Sequence, residues 1–166
     1  MQNELSHEEG PLSSPSPERL RCWRLFFESG LALQSLLDTE LEHEAGISLR
    51  WYDLLVQLEE SPDGIPMTAL AERILHSKSG FTRVVDRMEQ ARLVRRVRPE
   101  HARRTVLVMV TEQGTETMWR ARRYHRDGID RHFSQHLTDV EIKVLTRALE
   151  KVSTHARPLR PGRIRG

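Results

Sequence analysis

Residues 77–114 read SKSGFTRVVDRMEQARLVRRVRPEHARRTVLVMVTEQG, and two apolar patterns with different periods follow each other within them. Four apolar residues at helical spacing form one stripe in the first half: Phe81, Val84, Val85 and Met88. In the second half, valines alternate with other residues on both sides of Pro99, which is typical of two short strands. Thr111 is a suitable cap for a following helix. The stretch therefore predicts a helix, a β-hairpin and a further helix in that order.

The residues before this stretch predict two shorter helices. Ser48 is a suitable N-cap for a helix that ends before the turn SPDG at 61–64. Thr68 opens the next helix, HSKSG at 76–80 interrupts it, and Ser77 is expected to cap the helix with the buried stripe. Two short helices joined by a tight break form a helix-turn-helix, and the hairpin behind it completes a winged helix.

Long helices are predicted on both sides of this lobe. The first covers about 18–44 and ends at Gly46, and the second covers about 112–135. A last helix opens with the capping box Thr138–Glu141 and runs to about residue 155. Apolar residues make up only 37% of the chain, which is little for a core of this length. We therefore expect apolar surface to be buried between two copies of the chain.

The expected fold is mainly α with a small β-hairpin wing, in the order of four helices, two strands and two helices. It combines a winged helix-turn-helix lobe with a helical dimerisation domain. We expect residues 1–17 to form a flexible tail and 156–166 a basic tail around a single domain at 18–155. Within that domain, about 18–45 and 112–155 would supply the dimerisation helices, and about 48–111 the winged-helix lobe.

Charge is unevenly distributed along the chain, although its net value is only +2. Six arginines and a single acid lie between Arg92 and Arg104, whereas seven acids and a single arginine lie between Leu36 and Pro62. This asymmetry predicts one side that faces a polyanion and another that repels it.

The outward face of the helix from Ser77 and the tip of the hairpin carry side chains suited to DNA. Arginine makes bidentate contacts to guanine in the major groove, and hydroxyl groups and free backbone N–H groups at a helix start suit a phosphate. Arginines at the tip suit the narrow, negative minor groove. A solvated helix face and a solubilising loop are the alternatives. The expected DNA-binding residues are Ser77, Lys78, Ser79, Thr82, Arg83, Arg87, Arg98, Arg103 and Arg104.

The sequence resembles the MarR family of dimeric winged-helix transcriptional regulators. The resemblance runs through LAERILHSKSGFTRVVDRMEQARLVRR and the hairpin to VTEQG, continues in HRDGIDRHFSQHLTDVEIKVL, and covers roughly residues 25–152. It implies an intertwined homodimer built from the first and last helices, which binds a palindromic operator in double-stranded DNA, usually as a repressor. It also implies that a small effector, often a phenolic or other aromatic acid, releases the DNA.

The hairpin departs from the family pattern at one position. The family wing usually carries an Asp-x-Arg motif, and the corresponding residues here are Ala102, Arg103 and Arg104. In the family that acid commonly helps to position the motif arginine, here Arg104. Either Glu100 substitutes for it or the wing is looser. The missing acid also supports the alternative function, a small-molecule-binding or partner-binding module that no longer binds DNA.

Four aromatic residues are candidates for the effector pocket: Trp23, Phe27, Trp51 and Trp119. Large aromatics at helical spacing usually belong to a core. The resemblance, however, implies a ligand pocket where the dimer helices meet the winged-helix lobe, and these residues belong to helices that would converge there.

Other chemistry has weaker support in the sequence. Cys22, close to Arg19 and Arg21, is either a small buried apolar residue or the centre of a redox-sensing regulator. His132 and His136 are one helical turn apart, but no further metal-ligand motif accompanies them, so no metal or other cofactor is expected. No catalytic motif is present, which argues against an enzyme. A single cysteine fits a reducing, cytoplasmic compartment, and no apolar run is long enough for a membrane span.

Overall fold

The computed structural model describes residues 14–73, 80–99 and 105–156. Six helices and three short strands follow each other along the described chain: α1 (Pro17–Ala45), α2 (Leu49–Glu59), β1 (Ile65–Pro66), α3 (Met67–Arg73), α4 (Phe81–Gln90), β2 (Val94–Val97), β3 (Leu107–Val110), α5 (Glu112–His132) and α6 (Asp139–Ala156). The fold is therefore mainly helical with a small sheet, as the sequence predicts.

Helix α1 begins and ends at residues whose local chemistry explains both boundaries. The Ser16 side chain accepts a hydrogen bond from the backbone N–H of Arg19, and Pro17 occupies the first helical turn, where its missing N–H costs nothing. At the other end Gly46 adopts a left-handed conformation with φ 70°, which confirms the predicted stop.

Helix α2 is fixed to the end of α1 by two caps. Ser48 accepts a hydrogen bond from the backbone N–H of Trp51 at 3.3 Å, as predicted. In addition, the Asp38 carboxylate on α1 accepts one from the backbone N–H of Leu49 at 2.6 Å. Because the second acceptor lies 11 residues away on another helix, it also sets the angle at which α2 leaves α1.

Helix α4 begins at Phe81, later than the sequence predicts. Its N-cap is Gly80, which has φ 86° and makes no side-chain capping bond, so Ser77 is not the cap of this helix. Glycine adopts this left-handed conformation without the steric cost that other residues meet. The expected buried stripe is confirmed, since Phe81, Val84, Val85 and Met88 are all buried.

The sheet has three antiparallel strands in the order β1-β3-β2, rather than the two of a simple hairpin. In the hairpin, Val94 lies opposite Val110 and Val97 opposite Leu107. The additional strand pairs Ile65 with Val108 and extends over only two residues. So short a strand, with a proline as its second residue, has no pattern that a sequence reading would detect.

Helices α5 and α6 begin at the caps expected of them. The Thr111 hydroxyl accepts a hydrogen bond from the backbone N–H of Gly114 at 3.0 Å. Thr138 and Glu141 form the predicted capping box, in which each side chain accepts a hydrogen bond from the other residue's backbone N–H. Helix α5 ends at His132, and a short 3-10 helix at Ser134–His136 separates it from α6.

One hydrophobic core lies within the winged-helix lobe. It also contains residues from the end of α1 and from the first half of α5. Its fully buried side chains include Leu41, Leu55, Leu70, Val108 and Met118. By contrast, α6 has no buried residue, and seven large apolar side chains of α1 are exposed before residue 37. These two helices therefore leave apolar surface outside the core. Among the described helices, none is long and apolar enough to cross a membrane.

Candidate nucleic-acid interface

The outer face of α4 carries three of the predicted DNA-binding residues together. Thr82, Arg83 and Arg87 are exposed, on the side opposite the buried stripe. Arg83 and Arg87 make no hydrogen bond or ion pair with any residue of the described chain, and with Asp86 they line an open surface depression. Two free guanidinium groups one turn apart on an exposed helix are available to phosphate or to the edges of bases.

Arg96 joins the hairpin to the same helix. Its Nη2 donates to Oδ1 of Asp86 and its Nη1 to Oε2 of Glu89, both at 2.5 Å. Burial lowers the pKa of Arg96, but its hydrogen bonds to the two carboxylates outweigh that effect and leave the pKa above the ordinary value. The pairing was not predicted. The only signal in the sequence is two acids at i and i+3 on a helix, followed by an arginine in the next strand.

The turn between α4 and β2 is held from two sides. Arg92 has φ 57°, and the backbone N–H of Leu93 reaches the carbonyl of Met88 at 2.9 Å, as in a Schellman motif. From the other side, the Thr111 hydroxyl at the start of α5 donates to the Arg92 carbonyl at 2.6 Å. These contacts hold the turn between α4 and β2 against the start of α5.

The structure describes only part of the wing. Arg98 follows β2 and is exposed, and no described residue pairs with it. The other expected DNA-binding residues lie outside the described residues: Ser77, Lys78, Ser79, Arg103 and Arg104. Glu100 and Ala102, on which the positioning of Arg104 depends, lie outside them as well.

The candidate pocket residues form separate groups within one chain. Trp23 stacks on Phe27 with ring centroids 5.9 Å apart and contacts Phe26 at 6.1 Å, and all three are exposed on the first half of α1. Trp51 is half-buried and packs against the core. Trp119 is 55% exposed on α5, and the Arg122 guanidinium lies 4.4 Å from its ring centre.

Trp23 and Trp119 lie far apart within a single chain. Arg120, next to Trp119, donates to the carbonyl of Ala45 at 3.1 Å, so Trp119 lies near the end of α1. Trp23 is about 33 Å from Ala45 along α1, given a rise of about 1.5 Å per residue. One chain therefore does not bring Trp23 and Phe27 to the same place as Trp119.

The histidines have other partners. His132 is 2.6 Å from the Glu40 carboxylate, which also accepts from Arg131. The hydrogen bond with His132 is the main cause of a lowered pKa at Glu40. His125 lies against Tyr52 with ring centres 4.8 Å apart, and burial lowers its pKa.

The described residues contain no group of three metal-ligating side chains. Cys22 is exposed.

Comparisons with known proteins identify relatives that share this fold. A sequence model described as MarR family matches residues 45–105. AbsC, a MarR family transcriptional regulator from Streptomyces coelicolor, is 32% identical over 87% of this chain and 98% of its own, with a TM-score of 0.77. No curated protein sequence matches the chain.

Two further solved structures are similar. A second MarR family regulator from Streptomyces coelicolor, solved in complex with DNA, is 29% identical over 90% of this chain and 96% of its own, with a TM-score of 0.77. An organohalide-sensing transcriptional regulator in its 2,4-dichlorophenol-bound form shares the fold at 18% identity, covering 99% of this chain and all of its own (100%), with a TM-score of 0.73. The chain belongs to the MarR family of winged-helix transcriptional regulators, whose members are not enzymes.

Proposed function

We propose that this protein is a homodimeric, ligand-responsive DNA-binding regulator that acts in the cytoplasm, represses transcription at a palindromic operator and is released by a small aromatic effector. The observation that carries the DNA-binding part is the outer face of α4, where the exposed Arg83 and Arg87 have no partner within the described residues. A relative of 29% identity solved in complex with DNA supports the same conclusion. Each α4 would enter a major groove, with the two half-sites about 10 bp apart.

The exposed apolar residues of α1 and α6 support the homodimer. They are Leu20, Trp23, Leu25, Phe26, Phe27, Leu31 and Leu36 on α1, and Val140, Val144, Leu149 and Val152 on α6. Monomeric soluble proteins rarely expose large apolar patches, and each of these two helices carries a row of exposed apolar side chains. A second copy would bury these side chains and stabilise helices that contribute little to the core of one chain.

An aromatic effector would bind at a site that needs both copies. Trp23 and Phe27 lie far from Trp119 in one chain, so a pocket lined by these three residues requires Trp23 and Phe27 of one copy and Trp119 of the other. One structural relative, an organohalide-sensing regulator, was solved with bound 2,4-dichlorophenol, a small phenol of the proposed chemical class. Binding that favours one spacing of the two α4 helices would disfavour the DNA-bound state.

Arg50 supports an acidic effector. Its Nε and Nη2 atoms are buried and have no hydrogen-bond partner among the described residues, and the neighbouring residue on α2 is the candidate pocket residue Trp51. Burying these two guanidinium nitrogens without hydrogen-bond partners is costly, so an effector carboxylate placed there would gain from the pairing. Arg50→Met should weaken release of DNA by benzoate while leaving DNA affinity without benzoate unchanged.

A gel shift with the upstream region of the protein's own gene tests the DNA-binding proposal. Arg83→Ala should relax the preference for operator over scrambled DNA, whereas Arg104→Ala should weaken binding to both and reduce the salt dependence. Arg126→Ala, an exposed arginine on α5, is the matched control and should leave binding unchanged. Unaltered binding after both changes at physiological salt would contradict the DNA-contact assignment.

The same assay separates the alternatives. Binding of an aromatic acid without any DNA shift would favour a small-molecule-binding module, which the missing acid at Ala102 supports. Release of DNA by peroxide that Cys22→Ser abolishes would favour a redox regulator, since the Cys22 thiol is exposed.

A further inference from the structure

Three hydrogen bonds at one residue, Arg96, tie the wing to α4. The Arg96 guanidinium contacts Asp86 and Glu89 with separate nitrogens, each at 2.5 Å. The other Glu89 oxygen, Oε1, accepts from the backbone N–H of Arg96 at 3.0 Å. Arg96 therefore engages α4 with its backbone and its side chain together, over one helical turn.

The position of Arg96 in the sheet explains why both parts of the residue are used. Strand β2 is an edge strand, because the sheet order is β1-β3-β2. An edge strand presents backbone groups without a partner strand, and here Glu89 satisfies one of them. At Arg96, therefore, α4 takes the place of a neighbouring strand.

The acids that hold Arg96 lie beside the proposed DNA-reading arginines. Asp86 and the exposed Arg83 and Arg87 line one surface depression. The Arg96 side chain is 24% exposed, so its ion pairs are screened less than those of a fully solvated pair. A planar guanidinium can satisfy two carboxylates in fixed directions, which an ammonium group does not do.

We propose that Arg96 is a positioning residue for DNA recognition: its contacts with Asp86 and Glu89 fix the wing relative to α4, so that groove reading by Arg83 and wing contacts occur in one register. This inference rests on the proposed DNA-binding function. Arg96 need not touch DNA itself. Its contribution is to specificity, because a wing that moves relative to α4 engages phosphates on any sequence but no longer holds α4 at one angle in the groove.

The test compares two duplexes, one selected by the wild-type protein from a random pool and a scrambled version of it, at physiological salt. Arg96→Met in the full chain should reduce the ratio of the two affinities by about tenfold, the effect of losing one good base contact. Arg95→Met is the matched control, since Arg95 is exposed on the same strand. It removes the same charge and should weaken both duplexes alike, with the ratio unchanged.

A second variant separates positioning from charge. Arg96→Met leaves two unpaired acids near the DNA, whose repulsion of phosphate would weaken all binding. Combining it with Asp86→Asn and Glu89→Gln removes those charges. The triple variant therefore has no carboxylate at these positions that the loss of Arg96 leaves unpaired. Overall affinity should then recover, but the affinity ratio should stay low. Arg96→Lys should restore the ratio only in part, because one ammonium group replaces a two-sided contact.

Hydrogen exchange of β2 and β3 without DNA completes the experiment. Faster exchange in Arg96→Met together with a lower affinity ratio supports the proposal. Faster exchange with a wild-type ratio, or a ratio that the triple variant restores, would overturn it while DNA binding stands. A wild-type protein that binds the selected and scrambled duplexes equally would overturn the proposed function and, with it, this role of Arg96.

Discussion

Gly114 in the first turn of α5 lies directly against the backbone carbonyl of Leu93, which belongs to the turn between α4 and β2. A Cβ at Gly114 would collide with that oxygen and would come within 2.9 Å of both the Leu93 carbonyl carbon and Cγ2 of Val110. The backbone N–H of Thr111 also donates to the Leu93 carbonyl at 3.1 Å. The start of α5 and the turn that follows α4 are thus packed as one unit. The last residue of the VTEQG stretch is a glycine because of this contact.

Gly114→Ala should destabilise the protein by about 2–3 kcal/mol, the upper part of the range for overpacked sites, because the atoms it meets are mainly backbone. Chemical denaturation followed by circular dichroism measures the change. Glu116→Ala, at an exposed position of the same helix, is the control and should stay within about 0.5 kcal/mol of wild type. Equal stability of Gly114→Ala and wild type would contradict the close packing.

Arg92→Gly should stabilise the protein by about 0.5–1 kcal/mol. Arg92 has φ 57° at the C′ position of α4, where the left-handed conformation costs a side-chain-bearing residue about 1–2 kcal/mol. Glycine removes that cost but loses some of the gain to the greater freedom of the unfolded chain. Thermal unfolding measures the effect. Arg92→Ala keeps a Cβ at the same φ and should give no gain, so a gain in both variants would assign the effect to charge instead.

Stability should fall as the pH drops below about 6.5, and His125 should account for part of that fall. Burial holds the pKa of His125 below its ordinary value of 6.5. Above that pH the ring is neutral in the folded and unfolded chains alike. Below it, the unfolded chain binds a proton that the folded chain resists, so the free energy of unfolding decreases until the folded pKa is reached.

Melting temperatures measured from about pH 7 to about pH 5 would show this dependence. His125→Gln should flatten the decline in that range. The variant also loses the ring contact with Tyr52, which lowers its stability equally at every pH and leaves the pH dependence of the melting temperature unchanged. If the melting temperature of His125→Gln depended on pH in the same way as that of wild type does, His125 would not contribute to the acid sensitivity.

Val144→Glu should convert the proposed dimer to monomer, because Val144 is 62% exposed on a helix that has no buried residue in one chain. A charge buried in an apolar interface without a partner is strongly unfavourable. Sedimentation equilibrium measures the mass. Lys143→Gln, at the neighbouring exposed position, should remain dimeric. A dimeric Val144→Glu would mean that the apolar face of α6 is not part of the interface.

Local patterns were sufficient to predict most helix boundaries. The caps at Ser48 and Thr111 and the capping box of Thr138 and Glu141 are confirmed, as is the stop at Gly46. In each case the residue that satisfies the helix end lies within three or four positions in the sequence. Such short-range hydrogen bonding depends little on the rest of the fold.

Features that depend on other parts of the chain were not predictable in the same way. Ser77 is a good capping residue by type, but Gly80 takes the positive φ that starts α4. Strand β1 exists only because β3 lies beside it. The contacts of Arg96 with Asp86 and Glu89 join residues seven and ten positions apart, across a turn whose path depends on Arg92 and α5. No periodicity encodes that pairing.

Selection of duplex DNA from a random pool by the full-length protein is the direct test of sequence reading by α4. We expect a palindromic consensus with half-sites about one helical turn apart, bound at least about a thousandfold more tightly than scrambled DNA at physiological salt. Arg83→Ala should broaden the consensus within each half-site. Recovery of no consensus, or of one that Arg83→Ala leaves unchanged, would contradict sequence reading by α4.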